Sequence, residues 1–158
     1  DKMSAPPAYH SITNKEIKEF KLEGGKLRLI TGKYKNEEGW QGKYLPLDFY
    51  DIHLEANAKV EIPVREGWSA FVFTLLGDVT VGGKLISEKT AAKLGEGDRV
   101  LLETKEIGAE MLMYASKRLD EPVAWYGPIV MNTQDEIRQA FEDLNAGKFI
   151  KERADYSN

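Results

Sequence analysis

Residues 70–83, AFVFTLLGDVTVGG, contain two short apolar runs separated by a turn. Gly77-Asp78 divides the runs and Gly82-Gly83 follows the second one, and both pairs supply the backbone freedom that tight turns need. Each run is broken before it reaches the length of a typical helix, so length favours strands. This stretch therefore predicts consecutive strands of an antiparallel sheet.

The same pattern continues on both sides of this stretch, from about Ile12 to Leu119. Apolar runs alternate with turn residues at the spacing expected of an antiparallel sandwich or barrel. The further candidate strands are KLRLITGKY, FYDIHLEA, RVLLET and EMLMYA. We predict an all-β domain.

Near the end of the chain the spacing of the apolar residues changes from that of strands to that of a helix. Thr133 and Glu136 stand at the two ends of a capping box, which predicts the start of a helix. Apolar residues then recur at helical spacing at Ile137, Ala140, Phe141 and Leu144. We predict a helix over 133–146 that Gly147 ends.

The composition limits which binding partners and which cellular location we expect. Lysine and arginine total 22, aspartate and glutamate total 26, and the net charge of −4 comes with no basic block, so we expect no nucleic-acid partner. The sequence has no cysteine, which excludes disulfides and thiolate metal sites and fits a cytoplasmic location. No apolar run is long enough to cross a membrane, so we expect a soluble protein.

Both ends of the chain differ from the body. Residues 1–11 are interpreted as a linker or extended arm, because Pro6 and Pro7 fix φ and cannot donate to a strand ladder. Residues 151–158 are interpreted as a charged tail. An opening linker leads us to expect another domain before it.

The stretch from Glu121 to Ile150, EPVAWYGPIVMNTQDEIRQAFEDLNAGKFI, resembles the closing segment of pirins. There a Glu-Pro turn precedes a strand with Gly-Pro and Val-Met-Asn, then a capped helix and a Gly-x-Phe exit. Earlier segments resemble the second barrel of the same family in order, namely Pro46 to Ala58, Val64 to Gly77 and Glu96 to Glu103. The opening Asp-Lys-Met resembles the linker between the two pirin barrels.

This resemblance implies a cupin jelly-roll β-barrel over residues 12–150 with a C-terminal helix, the second barrel of a bicupin. It also implies a metal-binding N-terminal barrel, which would hold iron or another divalent metal. The family has been interpreted both as a flavonol-cleaving quercetin 2,3-dioxygenase and as a nuclear transcriptional co-regulator. Whether the whole protein is an enzyme stays open at this point.

The cupin metal ligands have no counterpart in this chain. An active cupin strand carries a His-x-His pair followed by a carboxylate, and a later strand supplies another histidine. Where the strand with the His-x-His pair would lie, this chain has Ile62, Val64 and Arg65. Where the later histidine would lie, it has Val100 and Leu101. An imidazole site cannot be built from these side chains, so we expect no catalytic residue and no cofactor in this chain.

Asp51, His53 and Glu55 form the one polar cluster with metal-like spacing, because period-two alternation places them on one face of a strand. The apolar residues between them, Ile52 and Leu54, would face the core and leave this trio in solvent. We therefore interpret the trio as an outer face and keep a metal site as the alternative.

An apolar run precedes the helix, and two apolar residues follow it. These residues are Trp125, Tyr126, Pro128, Ile129, Met131, Phe149 and Ile150. They either close one end of their own barrel or meet the N-terminal barrel of the same protein. We predict that the run contacts the N-terminal barrel, and that an isolated chain would self-associate through the same residues. Ile137 and Phe141 are predicted to belong to the barrel's own core.

Three functions follow for this chain. The first is a non-catalytic structural domain that covers and orients a metal-binding barrel. The alternative is a binding or regulatory module that uses the empty barrel or the cleft between two barrels. The last is an enzyme acting through Asp51, His53 and Glu55.

Overall fold

The computed structural model describes residues 5–153, so residues 1–4 of the predicted linker and 154–158 of the predicted tail lie outside the described residues. The described residues divide into two compact units, one of 12–118 and a second of 5–11 with 119–153. The helix and the apolar run before it pack on each other and form a small core of their own.

The larger unit is built almost entirely of strands. In chain order these are β1 (Lys18–Leu22), β2 (Gly25–Thr31), β3 (Lys33–Tyr34), β4 (Glu37–Glu38), β5 (Leu47–Leu54), β6 (Lys59–Pro63), β7 (Trp68–Leu76), β8 (Val79–Val81), β9 (Lys84–Ile86), β10 (Ala91–Lys93), β11 (Arg99–Glu103) and β12 (Ala109–Lys117).

Two sheets make up this unit. One sheet has six strands in the order β1-β2-β5-β12-β7-β10, and the other has four in the order β6-β11-β8-β9. All strand pairs in both sheets are antiparallel, and β3 pairs with β4 in a separate short hairpin. The predicted all-β jelly roll with one C-terminal helix is confirmed.

The core follows from the two-residue period of the strands. On β5 and β12 every second residue is buried, and the residues between are half-buried. The largest fully buried side chains are Leu27, Leu29, Ile52, Ile62, Leu102, Met111 and Met113. Both sheets contribute to this set, so the core lies between them.

The second unit contains the hairpin of β13 (Ala124–Tyr126) and β14 (Ile129–Met131), followed by α1 (Gln134–Asn145). The helix packs on both strands. The buried cluster of this unit consists of Ala124, Ile129, Met131, Ile137 and Ala140, with Phe141 and Phe149 packed against it.

The predicted capping box begins α1. The amide of Glu136 donates to the Thr133 hydroxyl at 3.2 Å, and the Glu136 carboxylate accepts from the amides of Thr133 and Asn132, each at 2.9 Å. Gly147 has a φ of 66°, the left-handed conformation that suits glycine after a helix end. Both predicted ends of the helix are therefore confirmed.

Candidate functional site

The positions that match cupin metal ligands hold core residues in this barrel. Ile62 on β6 is fully buried and Val100 on β11 is buried. Val64 packs against the same core, and Leu101 is half-buried. Their side chains supply packing surface and offer no lone pair to a metal ion.

Arg65, at the remaining position, forms an ion pair with a buried carboxylate. Its Nη2 lies 2.9 Å from Oδ1 of Asp48, which also accepts from the amide of Lys33 at 2.9 Å. Burial raises the pKa of Asp48, although both contacts act in the opposite direction. On its other side the guanidinium lies 4.2 Å from the centre of the Trp68 ring. Asp48 thus fixes Arg65, and Arg65 packs on Trp68.

The backbone around Asp48 is shaped to this contact. Gly32 has a φ of 85°, and a Cβ atom there would come within 2.2 Å of Oδ1 of Asp48. The neighbouring phenol of Tyr50 donates to the carbonyl oxygen of Lys33, and burial raises its pKa. These groups hold β3 against β5, which is a structural role.

A cavity of about 740 Å³ lies in the larger unit beside Trp68 and is walled by strands of both sheets. Ala70 of β7 and Ala92 of β10 line it from the six-stranded sheet. Val81 of β8 and Val100 of β11 line it from the other sheet. Such a volume is typical of small-molecule pockets.

Asp51 and His53 lie together on the outer face of β5, as their spacing predicted, while Glu55 lies beyond the end of this strand. His53 Nε2 is 2.9 Å from Oδ1 of Asp51, and its Nδ1 is 3.4 Å from Oε1 of Glu110 on β12. Nη1 of Arg28 lies 2.6 Å from Oδ2 of Asp51. The carboxylate of Asp51 is therefore already neutralised by a cation.

Three aromatic rings cross the same outer face. Tyr114 of β12 stacks on Phe49 of β5 with ring centres 4.3 Å apart and on Phe71 of β7 with centres 4.6 Å apart. Phe71 is exposed, and the other two rings are half-buried. This aromatic row, Phe49–Tyr114–Phe71, gives the six-stranded sheet an apolar outer surface.

The hairpin of the second unit exposes part of the predicted interface. Trp125 is 71% exposed, Tyr126 66% and Ile150 77%, and Pro128 is exposed as well. Val123 and Val130, which sequence reasoning missed, are 74% and 60% exposed. We call Val123, Trp125, Tyr126 and Val130 the hairpin surface.

Three predicted interface residues need correction. Ile129 and Met131 are each only 8% exposed, and Phe149 is half-buried against the same cluster beneath α1. Strand alternation explains the difference, because Ile129 and Met131 point to the helix while Val130 between them points away. These residues form the unit's own core.

Residues 5–153 contain neither a cluster of metal ligands nor a helix that could span a membrane. No group of three or more histidine, aspartate and glutamate side chains there is arranged to hold a metal ion. In the same part of the chain no helix combines the length and the apolar character that a bilayer crossing requires.

The sequence profile of the Pirin C-terminal cupin domain matches residues 49–150. The chain belongs to the pirin family. It is 33% identical to human pirin over 153 residues, which covers 94% of this chain and 53% of that protein. It is 31% identical to a pirin-like protein of Caulobacter vibrioides over 153 residues, covering 94% of this chain and 54% of the relative.

Solved structures agree with this assignment to the pirin C-terminal cupin domain. A structure named quercetin 2,3-dioxygenase from Acinetobacter baumannii superposes with a TM-score of 0.80 at 35% identity, over 87% of this chain and 49% of the other. The chain spans about half the length of most of these relatives, from 47% to 60%. The matched region is therefore one domain of longer proteins.

Two parts of this pirin domain escaped sequence reasoning. Glu110 reaches His53 because β12 pairs with β5 in a register that sets these two residues opposite each other, a contact between distant segments. The aromatic row had a local signal, because β7 is apolar at seven of its nine positions and β12 at six of nine. Strands that are apolar on both faces are typical of sheets covered on both sides.

Proposed function

We propose that this chain is the non-catalytic C-terminal domain of a pirin-like bicupin, and that it covers and orients a metal-binding N-terminal cupin barrel. The observation that carries the proposal is the hairpin surface, where Trp125 and Tyr126 leave 71% and 66% of their area exposed. Large exposed aromatic side chains are enriched where proteins meet partners. The length of the relatives supports a second barrel as the partner.

The aromatic row supports the same proposal from the larger unit. Water disfavours exposed apolar area by about 25 cal/mol per Å². The row of Phe49, Tyr114 and Phe71 places three rings side by side on one sheet face. A contiguous patch of this kind marks a contact surface more often than an isolated exposed side chain does.

The metal in this proposal belongs to the N-terminal barrel. The matching positions in this chain carry hydrocarbon side chains at Ile62, Val64 and Val100, and Arg65 is bound to Asp48. These groups do not fit iron or another transition metal, which bind imidazole and carboxylate ligands in cupin-like sites. The purified chain is expected to contain no stoichiometric metal. Elemental analysis that finds about one metal per chain, lost in His53→Ala, would contradict this part.

The interface can be tested by oxidative footprinting of the full-length protein beside the isolated 158-residue chain. We expect Trp125 and Tyr126 to be oxidised rapidly in the isolated chain and severalfold more slowly in the full-length protein. Tyr44, which is 58% exposed outside both proposed surfaces, is the matched control and should react equally in both. Equal rates at Trp125 and Tyr126 would refute the interface.

The activity of the whole protein follows as a further part of the proposal. We propose a cytoplasmic, metal-dependent flavonol dioxygenase whose chemistry lies in the N-terminal barrel. The similarity to a structure named quercetin 2,3-dioxygenase supports this activity over the co-regulator interpretation. The full-length protein should consume quercetin in the presence of divalent metal, and the isolated chain should not. Turnover by the isolated chain would place the chemistry here instead.

A second candidate function is the binding of a small molecule within this barrel. The cavity of about 740 Å³ beside Trp68 favours it, because this volume lies in the range of small-molecule pockets. A ligand that binds only the folded state stabilises it by RT ln(1 + L/Kd), where L is the free ligand concentration, so the thermal midpoint rises with ligand concentration. A panel of small molecules that leaves the midpoint unchanged would count against this function.

A further inference from the structure

Part of the cavity wall is apolar. Val64, Ala70, Val81, Ile86, Leu94 and Val100 line it. Ala92 also lines it and pairs in register with the buried Val72, so its side chain faces the interior. The opening exists because β10 and β9 are the last strands of two different sheets and do not pair with each other.

The charge around the cavity is unbalanced. Arg99 is paired with Asp98 and Glu61, and Glu96 is paired with Arg118. Lys84 also lines the cavity, pairs in register with the cavity residue Val81, and forms no ion pair with another residue in 5–153. Lys93 pairs in register with the exposed Phe71, so its side chain points to the outer face of the sheet. One ammonium group, that of Lys84, is therefore available to an anion at the rim.

An aromatic surface completes the site. Trp68 lines the cavity, and Arg65 packs against its ring at 4.2 Å. The buried Asp48 holds that guanidinium at 2.9 Å, so the indole is supported before any ligand enters. A supported ring loses less conformational freedom on binding than a free one.

We propose that this cavity binds a small aromatic carboxylate. The ring of the ligand packs against Trp68 and the apolar part of the wall, and its carboxylate pairs with Lys84. The apolar residues select the hydrocarbon body, and the ammonium group of Lys84 selects the negative charge. This inference rests on the second candidate function and is independent of the interface with the N-terminal barrel.

The test compares 2-naphthoate with its neutral isostere 2-naphthamide, using calorimetry and amide NMR spectra of the 158-residue chain. We expect saturable binding of the carboxylate, with shifts centred on the Trp68 indole and on β10, and much weaker binding of the amide. Lys84→Gln should weaken naphthoate binding about fivefold, as expected for losing one opposite charge at contact distance in water. Lys93→Gln changes a lysine on the outer face of the six-stranded sheet and should leave the affinity unchanged.

Two further variants separate this site from general surface binding. Lys21→Gln removes an exposed strand lysine far from the lining residues and should leave the affinity unchanged. Ala92→Leu fills the cavity from its wall and should abolish binding, while an unchanged thermal midpoint shows that the fold is kept.

Three results would overturn the proposal. Equal affinity for naphthoate and naphthamide would reject the charge selection while leaving small-molecule binding in place. Shifts centred on the aromatic row of Phe49, Tyr114 and Phe71 would move the site elsewhere. An absence of saturable binding by either probe, with no thermal shift from the small-molecule panel, would reject the second candidate function as well.

Discussion

Ile129 and Val130 are neighbours on β14, yet they face opposite environments. Ile129 is 8% exposed and packs beneath α1, whereas Val130 is 60% exposed on the hairpin surface. Replacing each by glutamate introduces the same charge at adjacent positions of the same strand. A difference in stability between the two variants therefore reports the burial of the position, because the added charge and the strand are the same in both.

The expected losses of stability differ because only the carboxylate of Ile129→Glu would lie in a hydrophobic core. Ile129→Glu forfeits the burial of an isoleucine, about 1.5–3 kcal/mol, and places a carboxylate among Ala124, Met131 and Ile137. An unpaired polar group in such a site adds about 1–3 kcal/mol. The sum is a large fraction of the about 5–15 kcal/mol that holds a domain folded. Val130→Glu should change stability by less than about 0.5 kcal/mol.

Hydrogen exchange of the α1 amides is the decisive assay, because α1 packs on this hairpin. We expect Ile129→Glu to remove the protection of residues in Gln134–Asn145, and Val130→Glu to preserve it. The amides of β5 and β12 in the larger unit provide an internal reference. Similar exchange of α1 in both variants would refute the assignment of Ile129 to this core and of Val130 to the exposed surface.

Three further predictions concern single residues. Thr133→Ala should lower the free energy of unfolding of α1 by about 1 kcal/mol, measured by amide exchange, while Thr133→Ser keeps the cap and the stability. Because burial raises the pKa of Asp48, the folded state binds a proton more tightly than the unfolded state. Asp48 should therefore add stability below its ordinary pKa and lose this contribution as the pH rises through the raised value. Urea midpoints between acid and neutral pH should show this component in the parent and not in Asp48→Asn. Tyr126→Glu should reduce self-association in light scattering with an unchanged thermal midpoint, and a parent that is monomeric at all concentrations would contradict it.

Local signals in the sequence were sufficient for part of the larger unit, namely strands β2, β5, β7, β8, β11 and β12. Strands β1, β4, β6, β9 and β10 were not predicted from the sequence. The runs in 70–76 and 78–83 became β7 and β8, since period and turn residues act within a few positions. The capping box at Thr133 fixed the start of α1 for the same reason. The division into two units was not predictable in this way, because it depends on which distant segments pack together.

In the candidate sites, too, the sequence pattern predicts which residues of one strand lie together but not which residues of other strands contact them. Alternation placed Asp51 and His53 together, but their neighbours Arg28 and Glu110 come from β2 and β12 through strand pairing. The burial of Ile129 was within reach of the sequence, because Ile129 and Met131 alternate with Val130. The density of apolar residues in this run concealed its two-residue period.

The position of β12 in the six-stranded sheet has a consequence for synthesis of the chain. β12 lies between β5 and β7, so the central strands can pair only after Ala109–Lys117 has left the ribosome. Until then, one edge of β5 and one edge of β7 have no partner while the apolar stretch in 68–76 is already made. Unpaired apolar edges are prone to aggregation. Slowed translation just upstream of β12 should therefore lower the yield of native protein more than the same delay placed after Lys117.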